Sequence, residues 1–229
     1  MASFLFAEDP AGAAAGLLVP LLGVLDRLRG RARLAVAGGS AAGALGAVRR
    51  GLRGGVWSRL ALTWVDERCV PFADAQSNRG AAYRDGHLDP GDPPALELPL
   101  YLDGETPQEA CARVAAALRG DFQGGLDVLL LGMGEDGHIA SLFPGRPFER
   151  AGNPPVFAVP DSPKPPPRRI TLALGMLATA ESGILVASGP AKGAALERLA
   201  KGDPDLPASA LGGLTVLSDL TERGAWPPL

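Results

Sequence analysis

The chain has 229 residues, of which 46% are hydrophobic and 21% charged, and its formal net charge is −3. This length supports one sizeable hydrophobic core, and we predict a single α/β domain over residues 1–229. A nucleic-acid-binding protein would need a clustered basic face, so the slightly acidic balance predicts no nucleic-acid partner. Cys69 and Cys111 provide neither a disulfide framework nor the spacing of a zinc site.

The amino terminus does not resemble a secretory signal peptide. It has no basic segment, and Glu8, Asp9 and Pro10 interrupt its apolar residues. The most apolar later stretch, AGAAAGLLVPLLGVL, is expected to be too short and too rich in glycine and proline to span a bilayer. We therefore expect a soluble cytoplasmic protein that does not bind membranes.

Strand-like and helix-like segments alternate along the chain. The predicted strands are SFLFA, RLAVA, RLALTWV, LDVLLLG, PPVFAV, RRITLAL, GILVAS and LTVLSD. The predicted helices are residues 11–29, SAAGALGAV, SNRGAAYRDGHL, TPQEACARVAAALRG, a segment near MLATAE, and Pro190 to Ala200. This alternation predicts a Rossmann-like α/β fold, with a mostly parallel sheet and helices on both faces.

Three segments carry more specific expectations. Thr106, Pro107 and Glu109 form the pattern of a capping box, so a helix should begin there. LDVLLLG is the most apolar strand and should be central, whereas TERGAWPPL leaves little room for a final helix, so the last strand is expected at an edge of the sheet. The proline-rich PDSPKPPP must be a loop or an extended segment.

The carboxyl ends of three predicted strands carry unusual residues: AGGS, VDER and GMGEDGH. In doubly wound sheets, ligands bind beyond these strand ends. Several such ends meeting at one crevice predict an active site there.

The glycines of GMGEDG spell G-x-G-x-x-G after a strand, which is the pattern of a dinucleotide-binding loop. Pro144 and Pro147 leave little room for the helix that should follow. Glu135 and Asp136 would also put negative charge where a pyrophosphate must sit. We therefore reject a dinucleotide cofactor.

Two segments carry candidate functional residues. In AGGSAAG, the glycines let the backbone approach a phosphate, and Ser40 can present its hydroxyl at a helix start; the alternative is a tight turn with a capping serine. Asp66, Glu67 and Arg68 directly follow a buried strand, where charges must be paired or used. There the alternative is an Asp–Arg ion pair in a solvated loop.

Arg169, at a strand start, and Lys192, in a glycine-containing turn before a helix, are ordinary when each is considered alone. Such residues are usually solvated. Together with Ser40 they would form a phosphate clamp.

His138 is one of two histidines in the chain and follows the most apolar strand. It could simply begin a helix or be a satisfied polar neighbour of the core, but imidazole is the natural proton acceptor at neutral pH. Asp136 could orient its ring or cap the next turn. No ligand spacing surrounds either histidine, so we predict no metal site, and no motif indicates a covalent nucleophile.

Taken in order, these motifs resemble the 6-phosphogluconolactonase family, which shares its fold with glucosamine-6-phosphate deaminase and ribose-5-phosphate isomerase. The segments that carry the resemblance are AGGS (37–40), VDERCVPFADAQSN (65–78), YRDGHL (83–88), GMGEDGHIASLFPG (132–145), PPPRRITL (165–172) and GPAKGAAL (189–196). The deaminases are similar around DGHIA but continue with an asparagine, a catalytic glutamate and a proline. Phe143 holds the place of that glutamate here, which favours the lactonases.

The resemblance implies hydrolysis of a 6-phosphorylated glucono-1,5-lactone in the oxidative pentose phosphate pathway, without metal or organic cofactor. His138 would be the general base, assisted by Asp136. Arg68 would position substrate or balance negative charge, and Asp66 would hold Arg68 or a sugar hydroxyl. The residues implied to bind the phosphate are Gly38, Gly39, Ser40, Arg169 and Lys192, and those implied to bind the rest of the substrate are Asn78 and Gly134.

Two alternatives stay open at this point. One is a sugar-phosphate isomerase or deaminase of the same fold. The other is a non-catalytic sugar-phosphate sensor, which would keep the phosphate clamp without needing His138. A monomer is expected, with a dimer as the alternative.

Overall fold

A seven-stranded parallel sheet forms the centre of the protein in the computed structural model, which describes residues 2–147 and 154–220. Its strands are β1 (Ser3–Phe6), β2 (Arg33–Val36), β3 (Ala61–Trp64), β5 (Leu96–Leu98), β6 (Val128–Gly132), β9 (Ser182–Ala187) and β10 (Leu214–Ser218). They lie in the order β1-β10-β9-β6-β2-β3-β5, and every neighbouring pair is parallel. The predicted α/β fold with a mostly parallel sheet is therefore confirmed.

A second, smaller sheet is antiparallel and was not expected from the sequence. It consists of β4 (Asp66–Arg68), β8 (Arg169–Leu172) and β7 (Val156–Val159), in that order. The chain leaves the parallel sheet after β3 and pairs with β8 almost at once. Because side chains alternate along a strand, Asp66 and Arg68 share one face of β4 while Glu67 points to the other.

The helices match the predicted segments closely. They are α1 (Pro10–Arg29), α2 (Ala42–Gly51), α3 (Asn78–Arg84), α4 (Pro107–Gly120), α5 (Leu174–Leu177) and α6 (Gly193–Ala200). The predicted capping box starts α4: the Glu109 amide donates to Thr106 Oγ1, and the Thr106 amide donates to the Glu109 carboxylate. Short 3-10 turns precede α2 and α6, at 39–41 and 190–192.

The first helix has the bounds expected from the sequence, but the expectation that its apolar stretch is too short to span a bilayer was wrong. With 20 residues and a mean hydropathy of 1.5 over its most apolar window, α1 could cross a membrane by length and composition alone. Core helices of soluble proteins meet the same criterion. Leu18 and Leu22 of α1 are fully buried and the helix packs against α2, β9 and β10, while 33% of its most apolar window is buried.

The strand order confirms one expectation and overturns another. β6, the LDVLLLG strand, is fourth of seven, and its residues 128–131 are buried. The last strand, β10, is not an edge strand, because β1 pairs along its free side. Strand order depends on contacts between distant segments, and the TERGAWPPL segment on which the expectation was based lies outside the described residues. β5 was not predicted because it is only three residues long.

The sheet has its topological switch point between β2 and β6. From β2 the chain proceeds to β3 and β5 on one side, whereas from β6 it proceeds to β9 and β10 on the other. The loops that follow β2 and β6 therefore diverge and leave a crevice at the carboxyl edge of the sheet, where ligands bind in this class of fold.

Candidate active site

A cavity of about 330 Å³ occupies this crevice. It is lined by residues that follow β2, β3, β6 and β9. Residues of β4 and β8 in the smaller sheet, and of the segment between β7 and β8, complete the lining. The predicted site residues that line it are Gly38, Gly39, Ser40, Asp66, Arg68, Asn78, Gly134, His138, Arg169 and Lys192. The structure thus brings together residues that are up to 154 positions apart in the sequence.

Asp136 is the one predicted site residue that does not line the cavity, but it contacts His138 directly. Its Oδ1 lies 2.6 Å from His138 Nδ1, and the His138 backbone N–H donates to the same oxygen at 3.4 Å. The imidazole ring also packs against Phe143, with 4.7 Å between ring centroids. Asp136 therefore both orients the ring and binds the backbone of the turn.

The surroundings of His138 favour the neutral imidazole. Burial lowers its pKa below the ordinary value of 6.5, and nearby Lys164 lowers it further, while the hydrogen bond and charge of Asp136 oppose this. Burial would raise the pKa of Asp136, but the hydrogen bonds and charge of His138, together with the charge of Lys164, lower it below its ordinary value of 3.8. With Asp136 ionised, Nδ1 carries the proton and Nε2 is left as the basic nitrogen.

Local geometry explains why glycine is needed at two positions of the GMGEDG turn. The Gly134 amide donates to the carbonyl of His138 at 2.8 Å, so the chain folds back on itself. A Cβ on Gly134 would lie 2.0 Å from His138 Nδ1, and Gly137 has a φ of +89°. No helix follows β6 within residues 133–147, in agreement with the rejection of a dinucleotide-binding loop.

The turn after β2 has features suited to binding an anion. Gly39 has a φ of +65°, which an L side chain rarely adopts. Ser40 is exposed within the 3-10 turn and makes no capping hydrogen bond to α2, so the alternative of a capping serine is wrong. Its hydroxyl is available to a ligand, and Lys192 lines the same cavity from the turn before α6.

Asp66 does not hold Arg68, contrary to one of its two expected roles. The buried Asp66 carboxylate accepts from Ser141 Oγ at 2.6 Å and from Asn78 Nδ2 at 3.3 Å, and it lies 3.7 Å from Arg169 Nη1. Arg68 instead donates from Nη1 to the Gln76 carbonyl at 2.6 Å. Its buried Nε has no hydrogen-bond partner among the described residues, which leaves a donor for a ligand.

Arg169 is buried and uses most of its donors within the protein. Nη2 donates to the carbonyls of Lys164 and Pro165, at 2.9 and 3.1 Å, and Nε donates to that of Pro166 at 3.1 Å. Only Nη1, which lies 3.4 Å from Ser141 Oγ, is left to reach a phosphate. Binding of phosphate by Arg169 therefore stays a prediction, and its visible role is to hold the proline-rich segment.

Asn78 occupies the space that a side chain on Gly38 would need. A Cβ there would lie 2.1 Å from Asn78 Oδ1. The Asn78 amide group also donates to the Asp66 carbonyl at 3.0 Å. Asn78 therefore joins the turn after β2 to the start of β4, and any contact with substrate would be in addition to this.

The sequence analysis assigned no role in the site to two residues that the structure places at or beside it. Glu67 is buried, and its carboxylate accepts the amides of Arg68, Asn78 and Arg79, each at 2.8 Å. Burial raises its pKa, and these three bonds oppose the rise. Lys164 lines the cavity from PDSPKPPP. The sequence did contain a signal for each residue. Glu67 is a charge directly after a buried strand, where it must be paired, and Lys164 is a single lysine within a run of prolines.

Lys192→Ala tests the phosphate clamp. We expect kcat/KM for the 6-phosphorylated lactone to fall by about 10- to 150-fold, because a charge-assisted phosphate contact contributes roughly 1.5–3 kcal/mol. Slow hydrolysis of unphosphorylated gluconolactone should barely change, and so should both activities in the exposed-lysine control Lys201→Ala. Equal losses on the two lactones in Lys192→Ala would contradict a phosphate contact.

A parallel sheet with a switch-point cavity, lined by cations and by a histidine oriented by a carboxylate, defines an α/β protein built to bind and act on a small anionic ligand. The family model described as glucosamine-6-phosphate isomerases/6-phosphogluconolactonase matches residues 7–217, and the chain belongs to this family.

Relatives agree with this assignment. The 6-phosphogluconolactonase of Rattus norvegicus is 40% identical over 184 residues, which cover 76% of this chain and 71% of that protein. The 6-phosphogluconolactonase of Caulobacter vibrioides is 36% identical over 211 residues, covering 89% and 88%. The crystal structure of a 6-phosphogluconolactonase from Shewanella baltica superposes with a TM-score of 0.80, over 95% and 97% of the chains. At 22% identity that likeness concerns the fold alone.

Proposed function

We propose that this protein is a 6-phosphogluconolactonase, which hydrolyses 6-phospho-D-glucono-1,5-lactone to 6-phospho-D-gluconate in the oxidative pentose phosphate pathway. The observation that carries the proposal is the pair of His138 and Asp136 at the cavity. A binding protein would need only the cationic residues, whereas hydrolysis of an ester needs a base.

In this mechanism His138 acts on water. Nε2 takes a proton from a water molecule as its oxygen attacks the lactone C1, and the carbonyl electron pair moves onto the carbonyl oxygen. The tetrahedral intermediate then collapses: the bond between C1 and the ring oxygen breaks, and His138 returns the proton to that oxygen. The resulting carboxylic acid ionises at neutral pH.

Arg68 is the proposed partner of the developing negative charge. Its guanidinium lines the cavity, and its Nε has no hydrogen-bond partner among the described residues. Ser40, the Gly38–Gly39 turn and Lys192 would hold the 6-phosphate at a distance from the reacting carbon. Such remote binding fixes the lactone against the water, so it serves the rate as well as the affinity.

Phe143 supports hydrolysis over deamination within this family. It packs against the imidazole of His138, at the position where the deaminase pattern places a glutamate. The apolar ring of Phe143 shields the imidazole from water, and it cannot transfer a proton as a glutamate would.

The deciding experiment is a coupled assay. The lactone is generated in place by glucose-6-phosphate dehydrogenase, and ring opening is followed by proton release against an enzyme-free control, because the lactone also hydrolyses spontaneously. We expect clear acceleration by the purified chain. Absence of acceleration, together with ammonia release from glucosamine 6-phosphate, would favour the deaminase alternative; binding without either reaction would favour a sensor.

Hydrolysis is expected to survive exhaustive chelation. Within the described residues, no group of three or more His, Cys, Asp or Glu side chains could hold a metal ion. The measurement is the coupled assay before and after treatment with EDTA and gel filtration. A loss of rate that added zinc restores would contradict this expectation.

Further proposals concern the protein's cellular location, partners and oligomeric state. We propose a cytoplasmic enzyme of one domain that acts on a small sugar phosphate without a nucleic-acid or membrane partner. A monomer suffices for this mechanism, because all of its proposed groups come from one chain. Light scattering of the purified protein would test this state.

A further inference from the structure

The proline-rich segment between β7 and β8 is closed by its own hydrogen bonds. Ser162 donates from its backbone N–H to the Pro167 carbonyl at 2.8 Å. Its hydroxyl donates to the Lys164 carbonyl at 2.9 Å and accepts from the Lys164 amide at 3.2 Å. Residues 162–167 therefore form a compact loop.

Arg169 fixes this loop to the interior. Its guanidinium binds the carbonyls of three consecutive residues, 164–166, and Arg169 itself is only 3% exposed. Asp66 lies within 3.7 Å of the same guanidinium. The backbone of Lys164 is thus held by the buried groups of the site, which is unusual for a surface lysine.

The side chain of Lys164 uses this position to reach the histidine pair. Its Nζ lies 3.5 Å from Asp136 Oδ1, the same oxygen that lies 2.6 Å from His138 Nδ1. Lys164 also lines the cavity. One carboxylate oxygen is therefore shared between an ammonium group and the imidazole.

We propose that Lys164 is a positioning residue of this active site: its ammonium group holds the Asp136 carboxylate in place, and its positive charge offsets that carboxylate so that the imidazole stays neutral and basic. The proposal rests on the proposed function, because it concerns the base of that reaction. Lys164 acts through Asp136 and by its charge, and not by contact with the reacting carbon.

The charges around His138 show why a cation is useful there. Asp136 and Asp66 both favour the protonated imidazolium, and Lys164 and burial against Phe143 oppose it. The other charged groups of the cavity are Glu135, Arg68, Arg169 and Lys192. Without Lys164, one of the two influences that oppose the carboxylates is lost, so the pKa of His138 should rise.

The experiment uses the fact that the chain has only two histidines. The His138 ring is titrated by NMR through its Cε1–H signal in the full-length protein, with His87→Gln supplying the assignment. The variants are Lys164→Met, which keeps length without charge, and Lys164→Arg, which restores the charge. Lys201→Met is the matched control, because Lys201 is exposed at the end of α6.

The pKa of His138 is expected to rise by about 0.5 in Lys164→Met, the size of one partly solvated charge, and to return close to the wild-type value in Lys164→Arg. Lys201→Met should leave it unchanged. An unchanged pKa in Lys164→Met, or an equal shift in Lys201→Met, would overturn the proposal. The titration needs no substrate, so its outcome is independent of whether the chain hydrolyses the lactone.

The kinetic profile supplies the second readout. kcat/KM of Lys164→Met should be about two- to threefold below wild type on the acidic side of the profile and should converge with wild type on the alkaline side. A loss that is the same at acidic and alkaline pH would mean that Lys164 contacts the substrate, and it would overturn the positioning role.

Discussion

His138→Asn is expected to lower the rate of lactone hydrolysis by about 10²- to 10⁴-fold, the usual effect of removing a general base. Asparagine keeps a polar side chain of similar reach but cannot accept a proton at neutral pH. Binding of the phosphate should remain nearly intact, because Ser40 and Lys192 belong to other loops of the cavity. Residual activity has to be compared with spontaneous hydrolysis in an enzyme-free control.

The wild-type enzyme should show the matching pH dependence. His138 must be neutral to accept a proton, so kcat/KM should fall as the pH decreases through its pKa, and burial places that pKa below 6.5. Activity is therefore expected to be nearly constant at neutral pH and to be lost as the pH falls through the lowered pKa of His138. A stable His138→Asn protein with near wild-type hydrolysis would remove His138 from catalysis. Asp66 would then be the best remaining base.

The sequence was most informative where local chemistry decides the structure. The capping box at Thr106 and Glu109, the buried strand β6 and the turn after β2 could all be predicted, since each depends on neighbouring residues. Membership of one site could also be predicted for residues far apart in the chain, because parallel strands end at a common edge.

The partners within the site could not be predicted in the same way. That Asp66 would lie beside Arg169 and not hold Arg68 depends on the pairing of β4 with β8, in a second sheet that no local pattern marks. The role of Arg169 in holding residues 164–166 depends on the same pairing. Asp136 could be assigned to His138 because only one residue separates them, whereas Lys164 is 28 positions from Asp136 and reaches it only through the folded loop.

Gly134→Ala should strongly lower activity, because its added methyl group clashes with the catalytic pair. Its Cβ would lie 2.0 Å from His138 Nδ1 and 2.5 Å from Asp136 Oδ1, distances that nonbonded atoms do not adopt. The His138 ring or the Asp136 carboxylate must therefore move. Because a misplacement of about 1 Å can cost about 10²-fold in rate, we expect a loss of that order in kcat/KM.

The matched control is Gly120→Ala, at the last residue of α4, where the added methyl meets nothing within 4 Å. This variant should keep wild-type activity and gain slightly in helix stability. Thermal unfolding of both variants separates a displaced base from a destabilised fold, since the clash at Gly134 involves a turn at the cavity and not the packed sheet. A folded Gly134→Ala protein with full activity would mean that the observed contact between Asp136 and His138 is not the arrangement that performs hydrolysis.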